Sequence, residues 1–257
     1  LTEANIKEIP NLIAYDNQMH WSLLSWIEGV HIEEVGKDDV RRIVDFIYKI
    51  NKLRVTRNKE MEGVRASESC KTLKEWNIII EARINALMGM KTNSSIQEKA
   101  KEWINKRLIP RYQEYRILIE KEDSKRSLFK GITGDMITSP SDVGIHNTIR
   151  LQNGRLAFID FEYSGQDDIA KFVGDWVMQP NYIFTECLEK RLIKEIQGKN
   201  ITFGSDWVKR YKFLKEMIAL KWCTIMLKPC IIDGINNEQL SKALKYYDIT
   251  KRRKGEY

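Results

Sequence analysis

Residues 139–165, SPSDVGIHNTIRLQNGRLAFIDFEYSG, decide how the rest of the chain is read. They hold a carboxylate, Asp142, then an amide five residues on, Asn147, and then an alternating apolar run, Leu156-Ala157-Phe158-Ile159, that delivers a second carboxylate, Asp160. Asn153-Gly154 between two apolar runs is a strong short-range hairpin signal, so strands are expected over 147–151 and 156–161. The turn brings Asp160 back beside Asp142 and Asn147. Phosphoryl transfer asks little covalent chemistry of a protein: a carboxylate to orient a hydroxyl and take its proton, and oxygen ligands for a metal ion on the phosphates. Magnesium favours one or two carboxylates completed by other oxygens over a dedicated cage. Asp142 as base, with Asn147 and Asp160 as ligands, meets that minimum. The plain alternative is that Asp142 and Asn147 are turn-forming side chains, since both types are common in loops. An apolar strand ending in Phe158-Ile159-Asp160-Phe161-Glu162 favours the chemical reading, because it presents an acid from a rigid element.

The run from Ser139-Pro140-Ser141-Asp142 to Asn147, followed by Phe158-Ile159-Asp160-Phe161-Glu162-Tyr163-Ser164-Gly165 and Asp167-Asp168, resembles the aminoglycoside phosphotransferase and choline kinase family, a branch of the protein-kinase-like fold. The resemblance implies ATP and Mg2+ as cofactors, Asp142 as catalytic base, and Asn147 and Asp160 as metal ligands. Upstream, Ile9-Pro10-Asn11-Leu12-Ile13-Ala14-Tyr15-Asp16 and Ser22-Leu23-Leu24-Ser25-Trp26-Ile27-Glu28-Gly29 are similar to the last N-lobe strands and the hinge, which would set Ser25, Trp26 and Ile27 along the adenine. Three departures stand out. Pro140 occupies the place of the histidine that usually precedes the base. The acid that usually follows the metal hairpin is displaced, with Asp175 the candidate one turn later. No glycine-rich loop, strand lysine or helix glutamate precedes Ile6, so an N-terminally incomplete kinase is expected.

The remaining chain reads as helices. Two apolar runs around Asp16-Asn17 predict a hairpin over 6–28, and Asp38 is the expected N-cap of a helix to about residue 53 with Val40, Ile43, Val44, Ile47 and Ile50 on one face. A polar loop is expected over 56–69, and a helix over 71–88 with Leu73, Trp76, Ile80, Ile84 and Leu87 at helical period. Ser94-Ser95 with Glu98 resembles a capping box for a helix to about 121, interrupted at Pro110. Residues 136–141 look irregular, helical patterns return at 169–178, 184–196, 207–227 and 237–247, and a basic tail follows at 251–254. Strands and helices do not alternate, which excludes a doubly wound parallel sheet. The expected fold is therefore α+β and mostly helical. Residues 1–29 are expected to be the end of an N-lobe, and 30–257 a kinase-like C-lobe carrying the catalytic loop.

Other residues admit ordinary readings. His146 would touch a phosphate or be a plain loop histidine. Glu162 shares a strand face with Asp160 if that strand continues. Asp167 and Asp168 suit a helix N-terminus. Trp76, Trp103, Trp207 and Trp222 fall at core spacing, and Glu186, Asp206 and Trp207 are candidates for an acceptor pocket.

The 257 residues are 42% hydrophobic and 31% charged with a net charge of +7, an ordinary globular balance that suits an anionic ligand such as a nucleotide. Bases and acids are interspersed, which argues against nucleic acid as the partner. Four cysteines without a C-x-x-C pair argue against structural zinc and read as reduced thiols in a cytoplasmic protein. No apolar run reaches the length of a membrane span. The leading expectation is an ATP-dependent phosphotransferase acting on a hydroxyl of a small molecule, choline-like, sugar or aminoglycoside-like. Its rival is a kinase-like binding or scaffold module without catalysis.

Overall fold

The computed structural model describes residues 6–56, 64–125, 128–130, 132–142, 144–199, 201, 206–232 and 237–252. It is α+β and mostly helical, as the patterning implies. Half of the expected loop over 56–69, residues 57–63, and the tail beyond residue 252 lie outside the described residues. Two compact units are formed, one from Leu1–Ser69 with Thr133–Gly204, the other from Cys70–Ile132 with Ser205–Tyr257. Among the described residues no helix is long and apolar enough to cross a membrane, and none of the four cysteines is in a disulfide.

The first unit begins with an antiparallel hairpin, β1 (Leu12–Asp16) and β2 (Trp21–Leu24). Asp16 Oδ1 accepts from the N–H groups of Gln18 and Met19 and so shapes the predicted turn. β3 (Val30–His31) joins β5 (Thr148–Arg150), which pairs with β6 (Leu156–Phe158), giving the order β3-β5-β6. Helix α1 (Lys37–Thr56) starts one residue before Asp38. Asp39, not Asp38, serves its N-terminus, since its Oδ2 accepts from Gly36 N–H at 2.9 Å. The five predicted apolar residues of α1 are all buried. Phe46 stacks on Phe158 with ring centroids 4.3 Å apart, which ties the helix to β6.

Residues 136–139 are not irregular. They form β4 (Met136–Ser139), wholly buried and antiparallel to β7 (Gly165–Asp168), which sequence reading also missed. Strands of four residues, one with three acidic or amide side chains, have no period to display. Their hydrogen bonds come from tertiary partners. On the other edge of β4, the buried Asn51 of α1 accepts from Thr138 N–H and donates to Thr138 C=O, so a helix side chain completes the strand. Helices α5 (Ile169–Val177) and α6 (Glu186–Gly198) complete this unit.

The second unit is helical: α2 (Leu73–Gly89), α3 (Ser95–Trp103), α4 (Ile109–Lys125), α7 (Trp207–Ile232) and α8 (Asn237–Arg252). The five residues predicted for the face of α2 are the buried ones. The capping box at α3 exists, but its third-position partner is Gln97 rather than Glu98. The interruption expected at Pro110 is a π-helical turn over Ile104–Leu108 just ahead of it. Proline supplies no N–H and its ring crowds the carbonyl four residues back, and a wider turn moves that carbonyl aside. Trp76 and Trp207 are core residues, and Trp103 packs edge-on against Tyr247.

Candidate active site

β4 feeds the loop that carries the first carboxylate. Ser139 Oγ, fully buried, accepts from Ser141 N–H at 3.0 Å, Ser141 takes a φ of 67°, and Asp142 N–H returns to Pro140 C=O at 3.0 Å. Three residues thus reverse the chain and leave the Asp142 side chain half exposed. A 3-10 turn, Ile145–Asn147, follows. It is pinned by Gln179 Oε1, which accepts from Ile145 N–H at 3.0 Å, and by Asn147 N–H donating to Gly144 C=O. Asn147, read as the start of a strand, is the last residue of this turn, and β5 begins after it. Its side-chain Nδ2 donates to Asp142 C=O at 2.8 Å. With the nitrogen so committed, Oδ1 is the lone-pair end left to a ligand.

The hairpin β5–β6 turns through Asn153-Gly154 as predicted, with Gly154 at a φ of 76°. One further bond, Ile159 N–H to Asn147 C=O at 3.0 Å, links the return strand to the amide residue itself. The strand was expected to run to 161, but it ends at Phe158. Asp160 lies beyond it in the left-handed region, φ 65°, which a short polar side chain tolerates better than most. Asp160 and Glu162 therefore do not share a strand face. They are nonetheless coupled: burial, then the charges of Glu162 and Asp142, hold the Asp160 carboxyl above its ordinary value, while His146 pulls it down. His146 Nε2 lies 3.3 Å from Asp142 Oδ1. Asp142, His146, Asn147, Asp160 and Glu162 thus form one cluster.

A divalent cation suits this cluster on its own electrostatics. Burial first, and then the charges of Glu162 and Asp142, raise the Asp160 carboxyl, and a bound cation would offset both. Among the described residues no three His, Cys, Asp or Glu side chains converge as a metal site. The donor set is the sparse one magnesium takes, one or two carboxylates and an amide, with water completing the shell.

Behind the cluster, β7 passes into α5 through an ion triad that sequence reading missed. Asp167, fully buried, and Asp175 hold Lys171 Nζ at 2.8 and 3.0 Å. Asp167 was expected to open a helix, but it belongs to β7. Asp168 is the N-cap, accepting from Ala170 N–H at 3.0 Å. The signal was present as acid, lysine, acid at i, i+4, i+8, the period of one helix face.

Other candidates lie elsewhere. Ser25 closes the base of the β1–β2 hairpin, donating its N–H to Asn11 C=O and accepting from Asn11 N–H with its hydroxyl. Trp26 is 88% exposed and Ile27 half-buried. Among the described residues no hydrogen bond or ion pair of residues 25–27 reaches the carboxylate cluster. Glu186 pairs with Lys190 and Asp206 with Lys209, and Trp207 is buried in the second unit.

No protein-family model matches the chain, and no curated protein matches it by sequence. Its fold, however, matches solved structures. A choline/ethanolamine kinase family protein from Mesorhizobium loti aligns over 97% of this chain and 74% of its own, with a TM-score of 0.61 at 14% identity. Choline kinase from Cryptosporidium parvum aligns over 98% and 75%, with a TM-score of 0.59 at 13% identity. Spectinomycin phosphotransferase, solved with ADP and spectinomycin, aligns over 96% and 74%, with a TM-score of 0.61 at 11% identity. The chain has the protein-kinase-like fold of these structures, as its central stretch implies.

Proposed function

We propose that the protein is an ATP- and Mg2+-dependent phosphotransferase that modifies a hydroxyl group of a small molecule. The observation that carries the proposal is the Asn147 bridge. Its side-chain nitrogen holds the backbone of Asp142, its backbone carbonyl accepts from Ile159 N–H on the return strand, and its side-chain oxygen is left for a ligand. Base and metal ligands are thereby one mechanical unit on a kinase-like fold. Asp142 orients the acceptor hydroxyl and takes its proton as the oxygen–phosphorus bond forms and the bond to ADP breaks. Asn147 and Asp160 would hold the ion, which when bound would offset negative charge on the phosphates. Ser25, Trp26 and Ile27 would contact the adenine of the nucleotide. The solved neighbours are a choline/ethanolamine kinase family protein, a choline kinase and a spectinomycin phosphotransferase, which makes choline, ethanolamine and spectinomycin, alongside simple sugars, the acceptors to assay.

The test is phosphate transfer from Mg-ATP to that acceptor panel, wild type against Asp142→Asn. Removing a general base costs on the order of 10²–10⁴ in rate, so transfer should fall by that amount while the circular dichroism spectrum is unchanged. Transfer at wild-type rate in Asp142→Asn would overturn the proposal. A wild-type chain that neither binds nucleotide nor transfers phosphate would support the scaffold reading.

A further inference from the structure

The 3-10 turn carries a histidine whose surroundings are more specific than a loop position needs. Gly144 has φ −124° and ψ −179°, an extended backbone open to any residue, so the glycine is not there for its conformational freedom. A Cβ at that position would stand 2.5 Å from both Cε1 and Nδ1 of His146 and 2.7 Å from Gln179 Oε1. The missing side chain is therefore room for an imidazole. Gln179 fixes the floor of this seat, since its Oε1 accepts from Ile145 N–H and its Nε2 donates to Trp176 C=O. With the Nδ1 edge against Gly144, the opposite edge puts Nε2 at 3.3 Å from Asp142 Oδ1. Among the described residues, His146 is the side chain at ion-pair distance from that carboxylate, and Pro140 on the other side has neither N–H nor side-chain donor with which to hold it.

An exposed ion pair of this kind contributes little to stability, and both side chains are more than one-third exposed. What the pair does control is direction. Asp142 follows a residue at positive φ, and its carboxylate is free to rotate unless something fixes it. Building on the base role given to Asp142, we propose that His146, seated by Gly144, is a positioning residue that aims the Asp142 carboxylate at the acceptor hydroxyl through Nε2–H. Its removal acts on the orientation of the base, and misplacing a reacting group by about 1 Å can cost up to ~10²-fold.

Two arms test this in the full chain. In the first, long-range proton–nitrogen NMR reads the tautomer of His146, with His20 and His31 as internal references. The expected result is a protonated Nε2 whose resonance moves in Asp142→Asn. An Nδ1-protonated ring indifferent to Asp142→Asn overturns the inference, whether or not any acceptor is turned over. In the second, kcat for the preferred acceptor falls about tenfold in His146→Ala, with KM for Mg-ATP within about twofold of wild type. His146→Gln, which keeps an N–H near the same place, recovers most of the loss. Gly144→Ala reproduces it with the histidine still present. A wild-type kcat in His146→Ala overturns the inference. Full turnover in Asp142→Asn with the nitrogen signature intact instead overturns the base assignment and leaves the pairing standing.

Discussion

At the residue scale the chain places charge where solvation is poorest. Lys171, with both its acids, is buried in the first unit, and such an arrangement is held by its geometry rather than by net Coulomb gain. Burial pushes the Asp167 carboxyl up to about 6 against the pull of Lys171, and the two carboxylates hold the Lys171 ammonium protonated above its ordinary range. The sign for stability follows from proton counting. Between about 4 and 6 the folded chain keeps a proton on Asp167 that the unfolded chain has lost, so this group's contribution is present below the ordinary 3.8 and is lost as pH rises through about 6. Lys171 acts at the other end, stabilising up to its ordinary 10.5 and losing that contribution above it. Urea unfolding at pH 5 and pH 7.5 should therefore show wild type losing stability relative to Asp167→Asn between the two. Parallel curves for the two proteins would refute the assignment.

At the element scale the site depends on a strand too short to stand alone. β4 has four residues, and its two edges are met by β7 and by Asn51. Asn51→Ala leaves Thr138 N–H and C=O buried without these partners, and each such orphan costs about 1–3 kcal/mol. A loss of roughly 2–6 kcal/mol in unfolding free energy is expected, checked by urea titration. Asn51→Asp should cost more, because it keeps the acceptor, removes the donor and buries a charge. An Asn51→Ala protein as stable as wild type would show that β4 is held by β7 alone. The same element view explains two misreadings. Period-2 alternation cannot mark a strand whose edge partner is a helix side chain, and the apolar run 156–159 could not show that the chain leaves β6 at Phe158 and turns into the left-handed region at Asp160.

At the scale of the whole molecule, the charge is unevenly divided. Acids outnumber bases in the first unit, and the second unit carries the basic surplus. The carboxylate cluster therefore sits in a unit whose own charge would repel a polyphosphate, and under the proposed function a cation would bridge the two. A cation that binds only the folded state stabilises it by mass action, about 2.7 kcal/mol at a hundred times its Kd. Because the chain forms two compact units, a single melting midpoint is a poor readout. Amide exchange of β4 and β7 reports on the unit concerned. Millimolar MgCl2 should slow that exchange in wild type and leave it unchanged in Asp160→Asn. Asparagine is the informative substitution because it tolerates the positive φ of 65°. Alanine there adds backbone strain of about 1–2 kcal/mol that would mask the loss of a ligand. Equal protection by MgCl2 in both proteins would remove Asp160 from the metal site.

The sequence by itself determined the α+β class, the turn at Asn153-Gly154, the apolar faces of α1 and α2, and the grouping of Asp142, Asn147 and Asp160. These rest on periodicity, turn chemistry and spacing, all local properties of the chain. Only the tertiary structure decided the β4–β7 pair, the Asn51 clasp, the Lys171 triad, and which end of the Asn147 amide is open. Each of those is a hydrogen bond or ion pair between residues whose partner is set by how buried elements meet, and desolvation makes the pairing obligatory once they do.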